Sequence, residues 1–352
     1  MTRPFALPGS YLVLETTNQC SLACVHCTVA EGAAHPHHAR VGFLPLATAE
    51  ALFDDLVATG ARFDTLVPFW LGEPLIHPDF GAIYRASLRA AALGAFARVE
   101  LHTNATHLGR ERVRTALNAS PVPQSWHFSL DAASRDTYGT IKGRDSFESV
   151  EANVLAFLDE KARSGAPWPR PVFQMILAGN NADEAESFRE RWTAACRDRS
   201  LPVRVAAQRV PSGDDAIVFF RQLDAPTPET QADANQAYRA AVSRLGLALP
   251  LAERTPSTVD RGPGICACFW KSPVVSWEGN VTTCTRDNRL QNVLGNVHQR
   301  PFSEIWFGDG MRDHRRHVAT GNYAGLPACH GCYIPRSANY TDITASEIGV
   351  AS

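Results

Sequence analysis

The sequence predicts an α/β fold, in which a parallel sheet has helices outside it and is closed or half-closed as a barrel. Two observations predict it. From Tyr11 to about Gln208, short runs rich in β-branched and aromatic residues alternate with longer stretches that place apolar residues on one helical face. This alternation gives six β/α units in chain order. In barrels of this kind the chemistry lies at the carboxyl ends of the strands.

The predicted elements follow from these two periodicities. Helices are predicted at Thr48–Thr59, with Leu52, Phe53, Leu56 and Val57 on one face, and at Ser146–Glu160, with Phe147, Val150, Val154 and Phe157 on one face. Strands are predicted at Tyr11–Thr17, Thr65–Phe69, Ala97–Thr103, Ser125–Leu130, Val172–Leu177 and Val203–Gln208.

The alternation of predicted strands and helices ends at Pro211. Pro, Ser, Asp and Gly are frequent after it, and the one helix-like stretch there is Gln231–Leu245. A β-hairpin is predicted next, with Ser272–Trp277 and Val281–Thr285 around a turn at Gly279. We therefore predict a barrel over residues 1–210, a connector or lid over 211–262, a small C-terminal domain over 263–340 and a tail over 341–352.

The charge balance and the cysteines limit the classes of partner and ligand that the chain is expected to bind. The chain carries 34 Lys and Arg against 36 Asp and Glu, so the basic footprint of a nucleic-acid binder is missing. No signal-like N-terminus and no eighteen-residue apolar run is present, which predicts a cytoplasmic protein without a membrane partner. Eight of the nine cysteines fall in two groups, and grouped cysteines in a reducing compartment indicate metal rather than disulfides. Cys196 stands apart as a core residue.

The first group, Cys20, Cys24 and Cys27, has the spacing C-x3-C-x2-C directly after the first predicted strand. A structural zinc ion is usually bound by four protein ligands, and an electron-transfer cluster by four cysteines. Three thiolates leave one metal position open for chemistry. Zinc remains an alternative, since one of four nearby histidines could complete its ligand set: His26, His35, His37 or His38.

This triplet resembles the signature C-x3-C-x-Φ-C of the radical S-adenosylmethionine (SAM) superfamily, with His26 at the aromatic position. Later segments resemble the superfamily in order and spacing, over about Tyr11 to Gln208. Leu71-Gly72-Glu73-Pro74 is similar to G-G-E-P, with Leu71 as a departure. His102-Thr103-Asn104 is similar to T-N-G, Ser129-Leu130-Asp131-Ala132 to S-x-D-[GA], and Tyr138 to Gly143 to Y-x-x-I-[KR]-G.

The resemblance implies a partial (β/α)6 TIM-like barrel in which the triplet holds a [4Fe-4S] cluster that binds SAM. The expected SAM contacts are His26 near the cluster or the adenine, the backbone of the second strand end, Ser129 at the ribose or carboxylate, Lys142 or Arg144 at the carboxylate, and Gln174 at the adenosyl group. The structural alternative is that strand-end polar residues are helix caps. The full set is His26, Gly72, Glu73, Pro74, Asn104, Ser129, Asp131, Lys142, Arg144 and Gln174.

The second group comprises Cys266, Cys268, Cys284, Cys329 and Cys332. Four of these thiolates could ligate one cluster or one zinc ion, and spacing alone does not choose. The segment from Cys266 to Cys284 and those after it resemble the SPASM/Twitch extension of radical SAM enzymes. The resemblance implies a small α+β Twitch domain with an auxiliary [4Fe-4S] cluster on Cys266, Cys284, Cys329 and Cys332.

Cys268 is the one cysteine of this group outside the implied ligand set, and three hypotheses account for it. It replaces Cys266 as a ligand, it is a buried apolar thiol, or it is a catalytic residue that donates a hydrogen atom to a substrate radical.

The resemblance implies a 5'-deoxyadenosyl radical that removes hydrogen from a C–H bond, and an external one-electron reductant of the flavodoxin or ferredoxin type. Twitch enzymes such as 2-deoxy-scyllo-inosamine dehydrogenase favour a small-molecule substrate, a sugar, aminocyclitol or aminoglycoside, with dehydrogenation or epimerisation as the outcome. One alternative is a peptide maturase, although no recognition domain is expected before Tyr11; another is a zinc-stabilised binding module without catalysis. Candidate polyol contacts are Glu15, His102, Asn104, His127, Gln208 and Arg209.

Overall fold

The structure, a computed structural model, describes residues 9–109, 111–113, 121–225, 227–248 and 264–334. The predicted tail 341–352, the last part of the predicted connector and the first residues of the predicted barrel lie outside this range. The chain divides into two compact units. The first holds the described residues of Met1–Gln19, Glu31–Val99 and Arg254–Ser352, and the second those of Cys20–Ala30 and Glu100–Glu253.

Strands and helices are numbered here along the described chain. The strands are β1 Tyr11–Leu14, β2 Phe63–Val67, β3 Phe96–Thr103, β4 Gln124–Ser129, β5 Arg170–Leu177, β6 Val203–Ala207, β7 Ala216–Gln222, β8 Val274–Val275, β9 Asn280–Thr282 and β10 Gly295–Asn296. The helices are α1 Leu46–Thr59, α2 Phe80–Ala92, α3 Arg135–Lys142, α4 Phe147–Ser164, α5 Ala185–Arg197, α6 Pro228–Arg244, α7 Cys268–Lys271, α8 Phe302–Trp306, α9 Asp309–Ala319 and α10 Pro327–His330.

In the first unit, β1 pairs in parallel with β2, and β2 with the first half of β3. On its other side β1 pairs in parallel with β8, and β8, β9 and β10 form an antiparallel ribbon. The predicted hairpin is therefore present, and Gly279 lies in its turn with a φ of 82°. Helix α1 buries its apolar stripe and ends where Gly60 takes a left-handed φ of 68°.

In the second unit the strands are parallel in the order β4-β5-β7-β6. Helices cover one face of this sheet: the ring of Phe157 on α4 packs on Trp126 and Phe128, and Trp192 on α5 stacks on Phe173 at 4.7 Å. The described strands of neither unit close on themselves, and the predicted α/β fold with parallel strands is confirmed.

Strand β7 was not among the predicted strands. Residues 216–222 lie in the stretch predicted as a connector or lid, yet they pair with β5 on one side and β6 on the other. Their sequence begins Ala-Ile-Val-Phe-Phe, the continuous apolar run of a parallel strand buried on both faces. The Pro- and Asp-rich residues before it concealed the strand.

The end strand β6 has one described neighbour. Arg204 on β6 forms an ion pair with Asp215 at 2.8 Å and donates to the carbonyl of Ser212. Among the described residues, no helix combines the length and apolar character needed to cross a bilayer.

Candidate active site

The cysteine triplet lies on a loop that belongs to the second unit. The Ala23 amide donates to the carbonyl of Lys142 at 3.0 Å, and the Val25 amide to that of Ile141 at 2.9 Å. These bonds fasten the loop to the carboxyl end of α3. All nine cysteines are free thiols, as expected for metal ligands rather than a disulfide framework.

Gly143 makes this attachment possible. It ends α3 with a left-handed φ of 68°, and a Cβ there would lie 2.4 Å from the carbonyl oxygen of Ala23. No side chain fits at that distance. The glycine that closes the Y-x-x-I-[KR]-G pattern is thus explained by loop contact and backbone conformation together.

Asn104 follows β3 and reaches the same loop. Its side-chain amide lies 3.5 Å from Cys20 Sγ and 3.4 Å from Ser21 Oγ, and its carbonyl accepts from the Thr106 amide and hydroxyl. An amide aimed at a thiolate sulfur is the kind of outer contact that tunes an iron-sulfur cluster. The three thiols with this donor fit a cluster that has one open iron. Among the described residues of this unit, the remaining thiol is Cys196, buried on α5.

Lys142 and Asp131 form a buried ion pair at 2.5 Å. Burial by itself would lower the pKa of Lys142, but the charge and hydrogen bond of Asp131, together with the nearby Cys24 and Tyr138, outweigh burial and the pKa is raised. The partner of the Lys142 ammonium group in this structure is thus Asp131, whereas the sequence resemblance implied that Lys142 contacts the SAM carboxylate. Arg144 is exposed on the next loop. His26 lies exposed between Cys24 and Cys27 on the cysteine loop.

Ser129 and Gln174 lie opposite each other at the ends of β4 and β5. Gln174 Nε2 is 3.5 Å from Ser129 Oγ, while its side-chain oxygen is buried without a hydrogen-bond partner. A buried, unsatisfied acceptor is costly and indicates a missing ligand. The second unit therefore brings together the triplet, Asn104, Ser129, Asp131, Lys142 and Gln174.

The Gly72-Glu73-Pro74 segment lies in the first unit. A Cβ on Gly72 would lie 2.2 Å from the Thr17 carbonyl oxygen, so only glycine fits. The Glu73 amide donates to the carbonyl of Gln19 at 2.7 Å, and its side chain accepts from the Leu75 amide, which caps a short 3-10 helix at Pro74–Ile76. Here the capping alternative accounts for the Glu73 side chain, and the Glu73 carbonyl accepts from the Ile76 amide at 3.1 Å.

The five C-terminal cysteines converge within the first unit. Cys268 shares side-chain hydrogen bonds with Cys266 and Cys284, and Cys329 and Cys332 bracket one turn at α10. Burial raises the pKa of Cys329 to about 12, so a thiolate there needs a positive partner. Asn292 donates to Cys329 Sγ at 3.1 Å, and the Arg286 amide to Cys284 Sγ at 3.3 Å. Half-buried thiols with donors aimed at their sulfurs fit an iron-sulfur cluster.

A further cluster of side chains lies on the second unit's strands. Glu100 Oε1 is 2.9 Å from His102 Nε2 and 3.6 Å from His127 Nε2, and the two imidazole rings stack at 4.3 Å. Burial lowers the pKa of His127 to about 3. Sequence reasoning named both histidines but missed Glu100. Its position two residues before His102 on a strand, which puts both side chains on one face, was the available signal.

The other predicted polyol contacts lie elsewhere. Glu15 is fully buried in the first unit, where it contacts His37 Nε2 at 2.8 Å and accepts from the Trp277 amide at 3.1 Å. Gln208 and Arg209 follow β6, and Gln208 has a left-handed φ of 64°. Sequence reasoning also missed Glu184, which accepts hydrogen bonds from Ser134 and Thr137 at the start of α3.

Known proteins resemble the chain in sequence. It is 25% identical over 203 residues to GTP 3',8-cyclase of Listeria monocytogenes, covering 57% of this chain and 54% of the cyclase. It is 25% identical over 308 residues to the AdoMet-dependent heme synthase of Methanosarcina barkeri, covering 83% and 80%. The chain thus spans about half the length of the cyclases it matches.

Solved structures share the fold. The crystal structure of BtrN in complex with AdoMet and 2-DOIA aligns with a TM-score of 0.50 and 16% identity, over 93% of this chain and 94% of BtrN. That of Streptococcus suis SuiB bound to S-adenosylmethionine aligns with a TM-score of 0.56 and 12% identity, over 87% and 67%.

Two family models match the chain itself. The model of the iron-sulfur cluster-binding SPASM domain matches residues 266–333, which contain the five C-terminal cysteines, and favours iron-sulfur over zinc there. The model of the radical SAM superfamily matches residues 14–190, which is half of the 352-residue chain. This matched segment contains the cysteine triplet. Such domains imply a SAM-binding [4Fe-4S] cluster and auxiliary iron-sulfur binding. The chain belongs to the radical SAM superfamily.

Proposed function

We propose that this protein uses SAM to remove a hydrogen atom from a C–H bond of a small polar molecule, a sugar, aminocyclitol or aminoglycoside, and that the result is dehydrogenation. The observation that carries the proposal is the polar character of one sheet face in the second unit. Epimerisation is the second candidate outcome, favoured by the surplus thiol of Cys268.

Side chains alternate across this sheet, and its two faces differ. Trp126, Phe128 and Phe173 point to the helices. The opposite face carries Ser125, His127 and Ser129 on β4, with Arg170 and Gln174 opposite them on β5. Buried polar groups that do not form a core need partners, and a face that mixes them with apolar residues is typical of a ligand site. The apolar part is the cluster of Val172, Ile217 and Phe219.

The expected cofactor contacts lie at the carboxyl ends of the same strands. When bound, the cluster supplies the electron that splits SAM into methionine and a 5'-deoxyadenosyl radical. The residues of this chain would hold and orient the cluster and SAM. The triplet would ligate iron, Asn104 contacts Cys20 Sγ, and the buried side-chain oxygen of Gln174 could accept a hydrogen bond from SAM. The electron enters from an external reductant of the flavodoxin or ferredoxin type.

The relatives support this class without identifying the substrate. The solved BtrN complex holds 2-DOIA, a small ligand, together with AdoMet. SuiB has also been solved with a precursor peptide, SuiA, which keeps a peptide maturase as the competing proposal. A zinc-stabilised module predicts colourless protein, whereas two [4Fe-4S] clusters predict brown protein with about eight irons per chain.

The test is anaerobic reconstitution and reduction with SAM in the presence of ring-deuterated 2-deoxy-scyllo-inosamine, scyllo-inositol and glucose. We expect deuterium in 5'-deoxyadenosine and a ketone product from at least one of them. Cys24→Ala should abolish both, whereas Cys196→Ala should retain them. Reaction in D2O separates the outcomes, because a thiol donor such as Cys268 would place solvent deuterium on carbon. Deuterium transfer from a peptide alone would contradict the small-molecule proposal.

A further inference from the structure

We propose that Glu100 and His102 form the general base that takes the hydroxyl proton of the substrate during dehydrogenation, and that His127 is a positioning residue for His102. The inference rests on the proposed function and assigns a role within it. Three features of the second unit carry it: the hydrogen-bond geometry, the stacking of the two rings, and the position of the pair on β3.

The geometry is that of a carboxylate and an imidazole acting together. Glu100 Oε1 and His102 Nε2 are 2.9 Å apart, and the His102 side chain is 11% exposed against 26% for Glu100. A carboxylate at one ring nitrogen orients the imidazole and stabilises its protonated form. The proton from the substrate is then taken by this imidazole.

His127 holds the ring of His102 from one side. The rings stack with a 26° angle between their planes, and His127 Nε2 lies 3.2 Å from Ser125 Oγ. His127 is 2% exposed, and burial keeps it neutral at physiological pH. A neutral, fixed ring against His102 restricts its rotation without adding a competing charge.

The same three side chains meet a simple test for a metal site, since their ligand atoms all lie within 4.8 Å of one another. Stacking argues against that reading. The lone pair of an imidazole nitrogen lies in the plane of its ring, and two rings stacked at 4.3 Å with planes 26° apart direct their lone pairs alongside each other. A metal about 2.1 Å from both nitrogens would lie far outside both planes.

The pair lies on the strand that reaches the cysteine loop. Glu100, His102 and Asn104 alternate along one face, and Asn104 contacts Cys20 Sγ. A strand advances about 3.3 Å per residue, so His102 and Asn104 are about 7 Å apart along the chain. A substrate that reaches the cofactor contacts would therefore be within reach of His102.

The charges facing the pair come from each neighbouring strand. The buried His127 beside the pair is acted on by Glu100, which raises its pKa, and by the charges of His102, Arg170 and Arg221, which lower it. Arg170 is occupied by the carbonyls of Pro211 and Gly213. Among the groups that act on His127, Glu100 is the anion, and it also lies 2.9 Å from His102 Nε2.

In the dehydrogenation, the carbon of a secondary alcohol would lose a hydrogen atom to the radical that bound SAM supplies, and the hydroxyl would lose its proton to His102. The remaining electron would go to an oxidised iron-sulfur cluster of the kind that the cysteine groups would hold. A C=O bond replaces the C–H and O–H bonds. Without the base, hydrogen is still removed, but the second half of the oxidation stalls.

The experiment compares His102→Gln and Glu100→Gln with His317→Gln, an exposed control on α9. With a deuterated alcohol that the wild type turns over, labelled 5'-deoxyadenosine and ketone are counted separately. We expect ketone formation to fall by about 10²-fold or more in His102→Gln while labelled 5'-deoxyadenosine continues to form. Higher pH or added imidazole should partly restore the ketone, and His127→Phe should alter the pH profile more than the KM for the alcohol.

Three results would overturn the inference. Equal loss of labelled 5'-deoxyadenosine and ketone would give the pair a purely structural role. Stoichiometric zinc in the wild type that is absent from Glu100→Gln would make the group a metal site. Failure of the wild type to take deuterium from any alcohol would remove the proposed function itself, and the inference with it.

Discussion

Lys142 Nζ lies 2.5 Å from Asp131 Oδ2, and the two side chains are 2% and 1% exposed. The backbone of Lys142 receives the cysteine loop, and Asp131 also accepts from the Ile176 amide at 2.7 Å. One buried pair therefore connects α3, β5 and the loop of the triplet.

Removing one partner of this pair should be costly, because it leaves the other charge buried without compensation. Asp131→Asn keeps an oxygen for Ile176 but loses the charge, and we expect a loss of about 3–5 kcal/mol in unfolding free energy. Denaturant titration under anaerobic conditions measures it. Asp145→Asn, which breaks the exposed pair with Arg135, should cost much less. Equal losses would show that burial of the pair has no energetic consequence.

Gly143→Ala should loosen the cysteine loop. The added methyl meets the Ala23 carbonyl at 2.4 Å in a left-handed backbone, whereas Gly165→Ala has a similar φ of 60° and open space around it. The control thus carries only the backbone strain, about 1–2 kcal/mol. We expect Gly143→Ala to lose more stability than Gly165→Ala and to retain less iron after reconstitution. Identical behaviour of the two variants would contradict a role for the contact.

Glu184→Gln tests how α3 begins. Burial raises the pKa of Glu184, but hydrogen bonds from Ser134, Thr137 and the Ala133 amide outweigh it, so the pKa is lowered. A carboxyl group whose pKa is lower in the folded protein than in the unfolded chain stabilises the folded state at pH values above its unfolded-state pKa. This stabilisation is lost as the pH falls through the pKa of the folded state. Thermal unfolding should show the variant less stable, by about 1 kcal/mol after solvent screening, from pH 8 to 5.5, with the difference shrinking below about pH 4.5. The exposed Glu186→Gln should show no such trend.

The surplus cysteine can be assigned by counting iron. If Cys266, Cys284, Cys329 and Cys332 form the auxiliary set, Cys266→Ala should lower iron from about eight to about four per chain, and Cys268→Ala should leave it unchanged. Cys196→Ala is the control for general loss of folding. The reverse result would assign the ligand role to Cys268, which the structure places in contact with both Cys266 and Cys284.

Local periodicity predicted the strands well where each strand has a buried face. Predicted Ala97–Thr103 and Val172–Leu177 correspond to Phe96–Thr103 and Arg170–Leu177. The strand at 216–222 was missed because the polar residues before it favoured a connector, and only pairing with β5 and β6 reveals its place. Lateral order in a sheet is set by long-range pairing, which local patterns do not encode.

The candidate site was predictable where residue types carry the chemistry. The cysteine spacing indicated both metal-binding segments, and the glycines at 72 and 143 agree with the close contacts they make. Lys142 shows the limit. Its sequence position suggests a free cation, yet Asp131, eleven residues earlier in the chain, neutralises it. Partners that meet only in the folded chain, such as Glu100 with His127, leave no local pattern.

The ion pair of Arg204 with Asp215 has a bearing on self-association. Among the described strands β6 is at the end of the sheet, and an end strand presents backbone groups that could template a strand from another molecule, a common route to aggregation. A charged side chain on that strand, tied by Asp215 and the Ser212 carbonyl, makes such strand addition unfavourable. Colloidal behaviour at the high concentrations used for spectroscopy would then depend on Arg204 and Asp215, and Arg204→Val would promote oligomers visible by light scattering.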